Sequence, residues 1–179
     1  MKQKKLTLHK PCTVHLSTVH LLLLLSLITF SFTACNEDDE TNEQWKQENL
    51  KAYDDLDKSI WLPLETKDGP TGIYYKIDPD KEKAEKGTEH PIQTAAVTIN
   101  YTGTFYTQAV FDSNTNTTFK VNGVVRGFGV ALQNMVVGDA WDVCIPYYLG
   151  YGTTATGSIK AYTTLFFNIE LLKIDQYPQ

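Results

Sequence analysis

The chain has 179 residues, 42% of them hydrophobic and 12% aromatic, with 16 basic and 21 acidic side chains. That allows one ordinary domain with a packed core plus appendages, and the acidic balance excludes nucleic acid as an expected partner. Cysteines stand only at 12, 35 and 144, and His90 is the sole histidine beyond residue 20, so there is no material for a disulfide framework, a His-based metal site or a Ser-His-Asp triad.

Residues 1–34 read as a signal peptide. Lys2, Lys4, Lys5 and Lys10 form a basic start, an apolar run follows His20, and the small Ala34 precedes Cys35. Without those four lysines, 12 of the 16 basic side chains face 21 acids, a net charge of -9. The sequence FTAC resembles a bacterial lipobox, with Phe32 where Leu is more usual. The resemblance implies lipidation of Cys35 and a lipid-anchored place in the bacterial cell envelope, at the outer membrane on its periplasmic or surface face. The alternative is an uncleaved anchor, since the apolar run is near the lower limit for a spanning helix. Residues 35–44, rich in acids that cannot bury, are expected to be a flexible tether. They also resemble an address that sends some lipoproteins to the cell surface.

Within residues 45–70 the spacing of Trp45, Tyr53, Leu56 and Ile60, with Asn49 and Ala52 between them, predicts a short amphipathic helix over 43–61. It is too short for a stable independent pairing element, so packing on its own domain is expected. Pro63 and the DGPTG run at 68–72 then break the helix and mark the start of a domain over 71–179. That domain opens with a strand, IYYKI, at 73–77, followed by a polar loop over 78–91.

Val97, Ile99 and Tyr101 alternate with Thr98, Asn100 and Thr102, the period of a strand with one buried face. Leu165, Phe167, Ile169 and Leu171 repeat the pattern, as do Trp141, Val143 and Ile145, which puts Cys144 on the opposite face as an inert thiol. Phe128, Ala131, Leu132 and Met135 make one apolar stripe of a short helix entered through Gly127. These pieces predict an α+β domain in which a curved antiparallel sheet, a half-barrel, wraps one short helix. The glycines of VNGVVRGFG lack the spacing of a dinucleotide-binding loop and the Lys of a phosphate-binding one, and no cofactor is expected.

Five separated motifs stand in one order over about 71–175: YTG, FDS, VVRGF with ALQNM, IPYYLGYG and TLFFNIELL. In these the chain resembles the FKBP-type peptidyl-prolyl cis-trans isomerases. The resemblance implies the same half-barrel, proline-containing polypeptides such as partly folded exported proteins as partners, and macrolide inhibitors as possible ligands. It implies Tyr101, Asp112 and Tyr151 as the catalytic set. The substrate-binding wall would be Phe111, Phe119, Val124, Val125, Ile159 and Phe167, over a floor at Phe128 where the family more often has Trp. It requires neither metal nor nucleophile.

Three departures bear on activity. The loop after FDS, SNTNTTF, is short and lacks the Arg that often pairs with the Asp, which leaves the Tyr101 hydroxyl as the best donor to Asp112. The stretch from Phe119 to Val124 is trimmed. The loop after Gly157 reads SIKAY, without the family's stiffening prolines. A non-catalytic binding module on the same fold is the alternative reading.

Overall fold

Side-chain alternation gives β3 (Ala96–Thr104) one fully buried face: Val97, Ile99, Tyr101 and Gly103 face inward and their neighbours are half-buried. The computed structural model describes residues 37–176, so the leader and Cys35 lie outside the described residues. Around β3 stand β1 (Leu62–Thr66), β2 (Gly69–Ile77), β4 (Val110–Lys120), β5 (Ala140–Ile145) and β6 (Leu165–Gln176). The sheet order is β1-β2-β5-β6-β3-β4, and every neighbouring pair is antiparallel.

The inward faces of β3, β5 and β6 share one apolar core with the helix α2 (Arg126–Asn134), which contributes Phe128, Ala131 and Leu132, with Met135 just beyond its end. Gly127 is required by this contact. A Cβ there would lie 2.3 Å from Ile145 Cγ2, so any side chain would push α2 off the sheet. The α+β half-barrel around a short helix is therefore the fold observed.

The segments before and beside this core depart from expectation in three places. A helix, α1 (Glu37–Asp54), begins eight residues ahead of Trp45 and takes up the acidic stretch expected to be a flexible tether. Glu40 lies in the first turn of the helix, where negative charge is favourable, and Gln47 donates to Glu43 one turn earlier, at 2.7 Å. The helix stops at Asp54, short of Leu56 and Ile60. Residues 62–70, expected to be linker and domain boundary, instead belong to the same sheet: they form a hairpin with the strand expected at 73–77, pairing Leu62 with Tyr75 and Thr66 with Gly69. The D-G step was a turn signal, since Gly69 has φ +107°; Pro63, which cannot donate to a ladder, sits on the edge strand. Lastly, the short segment after FDS is not a loop. It runs on as β4, pairing with β3 through Thr117 and Asn114 opposite Ile99 and Tyr101, with a bulge between them at Thr115 and Asn116.

α1 covers the outer face of the sheet, where Tyr74, Cys144 and Phe166 lie side by side on β2, β5 and β6. Tyr53 of α1 meets Tyr74 at 5.6 Å, and Trp61 meets Phe166 at 6.3 Å. Cys144 is fully buried beneath this layer, and burial pushes its thiol pKa upward, which suppresses the nucleophilic thiolate.

Candidate active site

The inner face of β3 and β6 carries a cluster of edge-to-face rings. Phe128 on α2 meets Phe167 on β6 at 4.8 Å and Tyr101 on β3 at 6.1 Å. Tyr101 also meets Phe119 of β4 at 5.7 Å, and Phe111 of β4 meets Phe167 at 5.5 Å. Such geometries add about 0.5–1.5 kcal/mol per pair beyond area burial. The rings can approach so closely because Gly103 has no side chain: a Cβ there would fall 2.6 Å from Phe111 and 2.7 Å from Phe167.

At the rim, the Tyr101 hydroxyl donates to Asp112 Oδ2 at 2.6 Å, the contact expected once the usual Arg was missing. The two side chains differ in environment, however. Tyr101 is 9% exposed, whereas Asp112 stands largely in solvent. Burial, then the hydrogen bond and charge of Asp112, then the proximity of Tyr151, hold the Tyr101 phenol in its protonated form well above the usual tyrosine range.

Val124 and Val125 are half-buried against the core where the chain enters α2, and the Val125 carbonyl accepts from the Gly129 N–H at 3.1 Å. Tyr151 is 38% exposed, beyond the short helical turn of residues 147–149. Ile159 is buried; it caps a tight turn in which Thr156 and Ile159 exchange backbone hydrogen bonds at 2.8 and 3.0 Å. Phe111, Phe119, Phe128, Phe167 and Tyr101 thus form one body of rings with Asp112 at its edge, and Val124, Val125, Ile159 and Tyr151 lie on the turns that follow.

Sequence reasoning missed two members. Phe105 packs on Phe111 at 5.1 Å with the rings tilted by 47°, and Trp45 of α1 meets it edge-on at 5.5 Å. Gly103 was in view as the third letter of YTG, but its need became visible only with two rings packed over it. Among the described residues no group of His, Cys, Asp and Glu could hold a metal ion, and no helix is long and apolar enough to cross a membrane. A recess of about 470 Å³ on the outer face, lined by Leu56, Trp61, Lys76, Asp142 and Phe166, is shaped by the α1 side of the sheet. Its polar walls, including the 3.2 Å Lys76–Asp142 ion pair, suit a proline ring less well than the ring cluster does.

Residues 87–172 match the FKBP-type peptidyl-prolyl cis-trans isomerase family. An FKBP-type 22 kDa peptidyl-prolyl cis-trans isomerase of Escherichia coli is 42% identical over 89 residues, covering 47% of this chain and 43% of that protein. The outer membrane protein MIP of Legionella longbeachae is 37% identical over 111 residues, 59% of this chain and 45% of that one. The chain thus spans less than half the length of these curated relatives. Among solved structures, a peptidyl-prolyl cis-trans isomerase from Pseudomonas syringae superposes with a TM-score of 0.61 at 28% identity, over 75% of this chain and 96% of that one. FkpA from Escherichia coli reaches a TM-score of 0.60 over 90% of this chain and 72% of its own; at 23% identity this is a likeness of fold.

Proposed function

We propose, since residues 87–172 match the FKBP-type peptidyl-prolyl cis-trans isomerase family, that this protein turns X-Pro peptide bonds in polypeptides exported to the bacterial cell envelope. The observation that carries the reading is the hydrogen-bonded Tyr101–Asp112 pair at the edge of the Phe111, Phe119, Phe128 and Phe167 cluster.

The reaction makes and breaks no bond. Its barrier of about 18–20 kcal/mol is the loss of amide resonance on twisting. An aromatic floor at Phe128 takes the proline ring and excludes the water that would stabilise the planar amide, while the Asp112 carboxylate, oriented by Tyr101, and the Tyr151 hydroxyl set fixed dipoles near the twisting bond. About 4 kcal/mol from these sources would give a thousandfold acceleration.

The test is isomerisation of Leu-Pro and Phe-Pro peptides by residues 36–179. The compact unit spans residues 40–179, so a fragment cut after the acidic run would lose the first turns of α1. We expect acceleration of the cis-to-trans step and inhibition by a macrolide, bound more weakly than by relatives that have Trp in place of Phe128 and prolines in the loop after Gly157. A folded sample with no acceleration at micromolar concentration would mark a binding module instead.

Lipid anchoring is the second part of the proposal, supported by the basic start, the apolar run and the Ala34-Cys35 junction. Mass spectrometry of protein taken from its native membrane should find an acylated N-terminal Cys35. A mature chain that keeps Met1 would contradict it. Two or three acyl chains make such anchoring stable where one does not.

A further inference from the structure

We propose that α1 is a positioning element of the site: Trp45 and Asn49 hold the loop of residues 157–164, and with it Ile159, against the ring cluster. The inference rests on the isomerase reading for its kinetic consequence but not for its structural one. Its starting point is the missing stiffness of that loop. SIKAY has no proline, Gly157 adopts φ +58°, and Tyr162, a non-glycine residue, adopts φ +60°, a conformation that persists only where surroundings enforce it.

α1 supplies those surroundings. Asn49 is a fully buried polar residue; its Oδ1 accepts from the Thr164 N–H at 2.9 Å, and its carbonyl accepts from the Thr164 hydroxyl at 3.0 Å. Asn49 Nδ2 in turn donates to the Trp45 carbonyl at 2.8 Å, which locks the side chain. Trp45 Nε1 donates to Thr163 Oγ1 at 3.0 Å, and that hydroxyl donates to the Lys160 carbonyl at 2.7 Å, next to Ile159. Lys46 stands over the Tyr162 ring at 4.9 Å and Lys160 over the Trp45 ring at 5.2 Å.

The same helix reaches the opposite wall. Trp45 packs on Phe105 and Tyr106 at 5.5 and 5.4 Å, and Tyr106 donates its hydroxyl to Glu48. From Phe105 the contacts run through Phe111 to Phe167. One turn and a half of α1 therefore ties together both segments that flank the cluster. In this chain a tertiary contact does for the loop what proline does by covalent restriction.

The experiment compares Asn49→Ala, Thr164→Val and Trp45→Phe in residues 36–179 by amide hydrogen exchange and by steady-state kinetics. The amides of Thr156 and Ile159, hydrogen-bonded to each other's carbonyls, and of Tyr162, which donates to the Gly152 carbonyl, report its opening, and the Ile99 amide of β3 reports the core. In Asn49→Ala and Thr164→Val the loop amides should exchange about tenfold faster than in the parent while the Ile99 amide keeps its parental rate. KM for the peptide should rise about fivefold with kcat within about twofold, the pattern of lost positioning rather than lost chemistry. Trp45→Phe, which keeps a ring but loses the N–H to Thr163, should fall between parent and Asn49→Ala. Loop and core amides accelerating together would make α1 a stability element only and overturn the proposal, as would unchanged loop exchange. An inactive parent would refute the isomerase reading while the exchange data still decide this one.

Discussion

Phe128→Ala should be the most damaging single change in the site, costing about 3–5 kcal/mol of stability together with most of the isomerase activity. The side chain is 4% exposed and is the one ring that α2 contributes, in edge contact with both Phe167 and Tyr101. Alanine favours the helix, so α2 itself should persist; what goes is ring contact, transfer energy and the surface on which a proline would rest. Phe128→Leu keeps apolar volume and should cost under about 1.5 kcal/mol. Denaturant unfolding separates the two variants, and macrolide affinity should fall in both. Should Phe128→Ala lose stability as stated yet turn over peptide at the parental rate, Phe128 would be core alone, and the floor of the site would have to be sought elsewhere.

The Tyr101–Asp112 pair should show the second largest effect, with an order of costs set by burial. Had Asp112 been buried at the edge of an apolar pocket, Tyr101→Phe would leave a carboxylate short of a donor. In the folded chain Asp112 is exposed and water replaces the lost donor, so Tyr101→Phe should cost only about 0.5–1.5 kcal/mol. Asp112→Val is the costlier change, about 1–3 kcal/mol, because it strands the hydroxyl of a residue that is 9% exposed. Tyr101→Phe added to Asp112→Val removes that stranded hydroxyl, and the double variant should be more stable than Asp112→Val alone. Turnover should fall about tenfold in each single variant and no further in the double one, since the two side chains orient one dipole as a unit. Additive losses in both unfolding energy and rate would show that the 2.6 Å contact does not couple them.

Much of this protein was legible in its sequence because the information was local. Strand faces followed from alternation: Val97, Ile99 and Tyr101, or Leu165, Phe167 and Ile169, must all point one way once the backbone is extended. The α2 stripe followed from helical period, and the ordered motifs pointed to the fold and to the ring cluster. What escaped was whatever depended on residues far apart in the chain. Asp68 and Gly69 looked like part of a boundary, and became a hairpin turn because β2 pairs with β1 on one side and β5 on the other. The segment after Asp112 looked like a short loop, and its polar residues run as strand because β3 offers a ladder beside them.

Asn49 is the sharpest case. In sequence it was one of two residues, with Ala52, that filled the stripe between Trp45 and Tyr53 of a short amphipathic helix. In the folded chain it is fully buried and bonds twice to Thr164, a residue 115 positions away. Periodicity states which side of an element is turned inward; only the assembled structure decides what waits there, and a buried amide is tolerated solely where donors and acceptors meet it. The sequence by itself determined the half-barrel, its helix and the clustered rings other than Phe105. The tertiary structure decided that a helix from the acidic segment would close over the loop beside them, because the partners that make this burial affordable come from the opposite end of the chain.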